Sequence, residues 1–109
     1  MRRLTTFLFL LALSATPLLA RDEASALFNV YCSACHDSNG DRKTVAGEKM
    51  AIPDLRSNAV QKLSDDDLFQ RIGNGAKHKQ YPHTFLKKGM SDTQLKQLIG
   101  YIRSMKVKN

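Results

Sequence analysis

Residues 31–37 read YCSACHD, and Cys32, Cys35 and His36 within that stretch decide how the remaining residues are to be understood. The chain has 109 residues and two cysteines, both of them here. Three chemistries compete for them. A pair spaced C-x-x-C can close or exchange a disulfide, but a thioredoxin-like site needs a strand leading into the motif, and the residues before Cys32 carry helical spacing instead. Zinc needs further thiolate or imidazole ligands, and no second cysteine pair supplies them. The third chemistry also uses the histidine. C-x-x-C-H is the attachment signature of c-type haem, in which both thiols add to the porphyrin vinyl groups and the adjacent imidazole binds iron from one face. The spacing has a reason: two thiols must reach one porphyrin edge while the next side chain swings under the metal. One motif implies one haem.

The start of the chain fits a cofactor attached outside the cytoplasm. Arg2 and Arg3 precede an apolar run over residues 7–13, followed by Ala15 and Ala20 and then charged residues from Arg21. This is the layout of a secretory signal over residues 1–20, with the cut expected after Ala20 even though Leu18 stands where a small residue is preferred. The run is too short for a permanent anchor, which counts against the competing reading, an uncleaved tether. Removing residues 1–20 takes two arginines away, so the net charge of +7 falls to +5 over the 89 residues of the expected domain, 21–109. A core that small is marginal without a staple, and a covalently held haem supplies one. Export argues against nucleic acid as a partner, as does the lack of a basic, aromatic-rich strand. The basic balance suits an anionic cofactor or an acidic protein partner, or simply a solvated surface.

Three helices are expected. The first spans about residues 22–33, with Asp22 as N-cap and Ala24, Leu27, Phe28 and Tyr31 available for packing. The second starts at Ser64, carries Asp65, Asp66 and Asp67 in its first turn, and ends at Gly73 or Gly75. The third opens with the capping box Ser91/Gln94 and aligns Leu95, Leu98, Ile99, Ile102 and Met105 on one face. Residues 37–63, with Gly40, Gly47 and Pro53, form a long irregular stretch that needs something to wrap. No convincing strand is present, so the fold class is all-α.

On LFNVYCSACH (27–36), IPDL (52–55) and MSDTQLKQLIGYIRSM (90–105), the chain resembles the small bacterial class I cytochromes c over nearly all of residues 21–109. The resemblance implies three main helices and long loops wrapped round one covalently attached haem c. It implies that the first and last helices cross at Phe28 and Tyr101, with Ala24, Leu98 and Gly100 permitting the approach. It also implies that the Pro53 carbonyl accepts the Nδ1–H of His36, which would fix the ring and make Nε2 a better ligand.

The chain departs from that family at the second axial position. The usual ligand is a methionine followed by proline; here Tyr81 precedes Pro82. Met90 directly precedes the cap Ser91 and suits a hydrophobic staple onto Leu95. His83 stands beside Pro82 in the segment expected to cross the distal face, with Phe85 closing the pocket, and His78 lies nearer the second helix. His83 is therefore the expected distal ligand, with His78, Met90, Tyr81 or an open site as alternatives. Methionine opposite histidine raises the reduction potential and a second histidine lowers it. The expected function is a periplasmic electron carrier, not an enzyme and not an integral membrane protein once processed. It would dock acidic redox partners through Lys77, Lys79, Lys87 and Lys88. The alternative is a haem protein with an open distal site that binds or turns over oxygen, nitric oxide or peroxide.

Overall fold

Ser91 accepts a hydrogen bond from the Gln94 backbone at 3.1 Å, and the Gln94 side chain accepts one from the Ser91 backbone at 3.0 Å. This reciprocal cap starts the last helix where the sequence places it. The structure, a computed structural model, describes residues 17–77 and 83–107. Within them it contains α1 (Pro17–Tyr31), α2 (Ser33–His36), α3 (Val45–Met50), α4 (Asn58–Gln61), α5 (Asp65–Asn74) and α6 (Asp92–Ser104), and no strands. Most of the expected secretory signal, residues 1–16, lies outside the described residues. α1 is described from Pro17, so Asp22 lies inside a helix rather than capping it.

The core is the meeting of α1, α5 and α6. Leu95, Leu98, Ile99 and Ile102 recur at i, i+3, i+4 and i+7 and are buried along α6. Phe28 of α1 is fully buried, and its ring centre lies 5.5 Å from that of Tyr101, tilted by 58°. Such aromatic pairs contribute about 0.5–1.5 kcal/mol beyond the area they bury. Ala24 is buried beside them, but Gly100 does not take the part expected of it: a Cβ there would meet nothing within 4 Å. Gly100 sits 200° round the helix from Leu98 at 100° per residue, on an open groove with Arg21 and Gln97. Of the residues expected at the crossing, Ala24 and Leu98 are buried there and Gly100 is not.

α5 begins at Ser64, whose hydroxyl accepts the Asp67 amide at 3.0 Å, and ends at Gly75, which takes φ 75°. Gly73 lies inside the helix because a Cβ there would stand 2.8 Å from Leu95 and 2.9 Å from Leu86. The stretch 37–63 is less irregular than expected, since it contains α3 and α4, each capped by a hydroxyl, Thr44 and Ser57. It is also tied down. The Gln61 side-chain amide donates to the carbonyls of Leu55 and Ile102, at 2.8 and 3.0 Å. Arg103 reaches from α6 to the carbonyls of Gln61 and Leu63 and to the Asp65 carboxylate. These bonds fasten the segment leading to α5 onto the last helix.

Candidate metal centre

The cysteine-histidine motif is wound as a helical turn that continues α1 after a one-residue break. The Cys32 amide still donates to the Phe28 carbonyl at 2.8 Å, and the His36 amide donates to the Cys32 carbonyl at 2.9 Å. Residues i and i+4 of a turn share a face, so Cys32 and His36 line up with Cys35 beside them. Both cysteines are free and half-buried. Burial pushes the Cys32 thiol up to about 12, with Cys35 adding to the effect. With no metal beside it, it is therefore a thiol at neutral pH and a poor nucleophile for disulfide exchange.

A cradle of backbone contacts holds the turn from below. The Thr44 hydroxyl donates to the Cys35 carbonyl at 2.6 Å and accepts the Gly47 amide at 2.8 Å. Gly47 packs so closely that a Cβ would collide with the Cys35 carbonyl oxygen and lie 2.6 Å from that of Arg42. The Arg42 amide donates to the His36 carbonyl at 3.0 Å, and its guanidinium donates to the Ile52 carbonyl, also at 3.0 Å. Arg42 thus links His36 to the segment just before Pro53, which is itself exposed. Sequence reasoning missed Arg42, Thr44 and Gly47; the threonine three residues before an intrahelical glycine was the available cap signal.

Across from His36 stands His83. Their ring centres are 6.2 Å apart with planes at 50°. Two imidazoles bound to one metal from opposite sides, each nitrogen about 2 Å from it, place their ring centres roughly 6 Å apart at any relative twist. The pair therefore fits an iron held between them. His83 stacks on Phe85 at 5.5 Å and 24°, and Phe85 meets Tyr31 edge-on at 5.6 Å. Lys88 carries its ammonium 5.1 Å from the Phe85 ring centre. The strap bearing His83 and Phe85 hangs on α5, through the Phe85 amide to the Ile72 carbonyl at 3.3 Å and the Leu86 amide to the Gly73 carbonyl at 3.2 Å.

Met90 is buried in the core that also holds Leu95, as a staple would be. His78, Tyr81 and Lys79 fall outside the described residues, while Lys77, Lys87 and Lys88 are exposed. Two free thiols at a helical spacing, an imidazole behind them and a second facing it match the donor set of a c-type haem. A profile of the family described as "Cytochrome C oxidase, cbb3-type, subunit III" matches residues 20–102. No curated protein matches the chain.

Proposed function

The chain belongs to the family of cbb3-type cytochrome c oxidase subunit III, and from that premise we propose that it is an exported electron carrier whose haem iron is held between His36 and His83. Family membership makes it a small c-type monohaem cytochrome with covalently bound haem c and a role in electron transfer. That haem supplies reversible one-electron exchange at iron. The finer assignments rest on the residues. Cys32 and Cys35 hold the porphyrin through thioethers, each S–H adding across a vinyl double bond without change of oxidation state. Phe85 closes the distal pocket beside His83; the parts given to Pro53, as acceptor for His36, and to Tyr81 rest on the family resemblance.

The observation that carries the axial assignment is the 6.2 Å separation of the His36 and His83 rings. A second imidazole favours ferric iron relative to a thioether, so the carrier works at lower potential than its methionine-ligated relatives. A closed, six-coordinate iron also transfers electrons with little rearrangement. Lys77, Lys79, Lys87 and Lys88 steer an acidic redox partner toward the strap, in encounters that weaken as salt screens them. The basic start and short apolar run of residues 1–20 support reading them as a secretory signal and the protein as periplasmic. No helix among the described residues is long and apolar enough to cross a membrane.

Absorption spectra of the reduced protein with and without carbon monoxide test this reading. An unchanged reduced spectrum is expected, because a strong internal ligand occupies the sixth position. Rapid carbon monoxide binding would favour the small-ligand-binding alternative, and the lack of any Soret band would remove the cytochrome reading altogether.

A further inference from the structure

Arg71 departs from the pattern of its helix. Along α5, Leu68 is buried, Phe69 and Ile72 are half-buried, and Gly73 packs against Leu86 of the strap and Leu95 of α6. The Phe69 and Gly73 flank thus faces α6. At 100° per residue, Arg71 lies 60° from Leu68 on the other flank, turned away from α6. An arginine there would ordinarily extend into solvent and pair with Asp67, four residues earlier on the same helix. Arg71 does not. Its Nε is buried and has no hydrogen-bond partner among the described residues. The ion pairs among those residues are Arg56 with Asp54 and Arg103 with Asp65.

Leaving a buried donor unmatched is costly, and more so when the group is charged. A side chain that forgoes an accessible carboxylate on its own helix while its Nε is buried therefore points to an acceptor that the described residues do not supply. Position narrows the choice. Arg71 directly precedes Ile72, whose carbonyl anchors the strap that brings His83 opposite His36. The haem held at Cys32 and Cys35 by its vinyl edge carries its carboxylates on another edge, and a guanidinium is the side chain best matched to a carboxylate.

We infer that Arg71 donates from Nε to a haem propionate. The inference rests on the proposed haem site. Arg71 then fixes the far edge of the porphyrin while the cysteines fix the near one. It also sets a positive charge against the propionate, which favours ferrous iron and offsets part of the lowering caused by a second histidine.

The test is nuclear magnetic resonance of the reduced, haem-loaded wild-type protein labelled with nitrogen-15. The Arg71 Nε–H signal, assigned by its loss in R71K, is expected to exchange slowly and to show Overhauser contacts to the propionate methylene protons. A haem-loaded protein whose Arg71 Nε–H exchanges fast or contacts no haem proton would overturn the inference and leave the haem reading intact. Protein exported without haem would overturn both. In parallel, R71Q should shift the midpoint potential downward and R71K should recover most of the shift. K96Q, which removes an exposed charge on α6, should leave the potential nearly unchanged. Equal potentials in wild type, R71Q and K96Q would also contradict the assignment. If R71Q fails to load haem, the wild-type spectrum still decides.

Discussion

The two sides of the haem site are built to different standards. On the His36 side, residues 32–52 are bonded to one another at nearly every step, and Gly47 sits in contact with two carbonyl oxygens closer than any Cβ would tolerate. On the His83 side, a strap reaches the rest of the fold through two long amide bonds to α5, the edge contact of Phe85 with Tyr31 and the burial of Phe85 and Met90. The attachment side is thus rigid by backbone geometry, which few substitutions survive. The other side depends on which side chains occupy it. On the proposed assignment, a change of the second ligand would alter the strap and leave the attachment turn intact.

Substitutions on the two sides should separate in size. The largest effect is expected for Cys35→Ala, which removes one thioether and with it the staple of a small core. We expect greatly reduced covalent haem, scored by haem stain after denaturing electrophoresis, and a chain largely unfolded by circular dichroism. A well-folded, haem-free variant would contradict the role given to haem. Next, Gly47→Ala should cost roughly 1–3 kcal/mol or more by overpacking, read from denaturant unfolding of the holoprotein.

On the strap, His83→Ala should leave the attached haem in place while converting a reduced protein that ignores carbon monoxide into one that binds it. Equal carbon monoxide binding in wild type and variant would break the comparison from the distal side. Gly100→Ala should do the opposite of Gly47→Ala. It faces open space inside a helix, so stability should rise by about 0.5–1 kcal/mol. Two glycines, opposite signs: a similar loss at both would mean that the helix crossing, not only the attachment turn, is steric.

The smallest effect concerns acid. Backbone donation from Lys43 holds the nearly buried Asp41 carboxyl below its ordinary value of 3.8, and Arg56 does the same for Asp54. A carboxyl with a depressed folded pKa stabilises above the unfolded pKa, and the contribution is lost as pH falls through the folded one. Asp41→Asn should therefore flatten the pH dependence of stability below about pH 4 and leave its slope near neutrality unchanged.

Much of this was legible in the sequence where a local rule acts alone. Ser64, Gly75 and the Ser91/Gln94 box mark α5 and α6 because caps satisfy backbone groups within one turn. The attachment motif is similarly self-contained. α3 and α4 were missed because helices of four to six residues are too short to show a period, although Thr44 and Ser57 cap them. Gly100 was misassigned because a glycine in an apolar helix signals closeness only if it lies on the packed face. Arg71 follows Leu68 by three residues and precedes Ile72, a visible anomaly, but the burial of its Nε is a property of the folded chain that no local pattern announces.

The central claim, an iron held between His36 and His83, is tested most directly by X-ray absorption at the iron edge of the purified holoprotein. The account expects nitrogen donors alone around the metal, with loss of one of them in His83→Ala. A sulfur scatterer at the iron, abolished by Met90→Leu and untouched by His83→Ala, would contradict it and return the strap to a packing role.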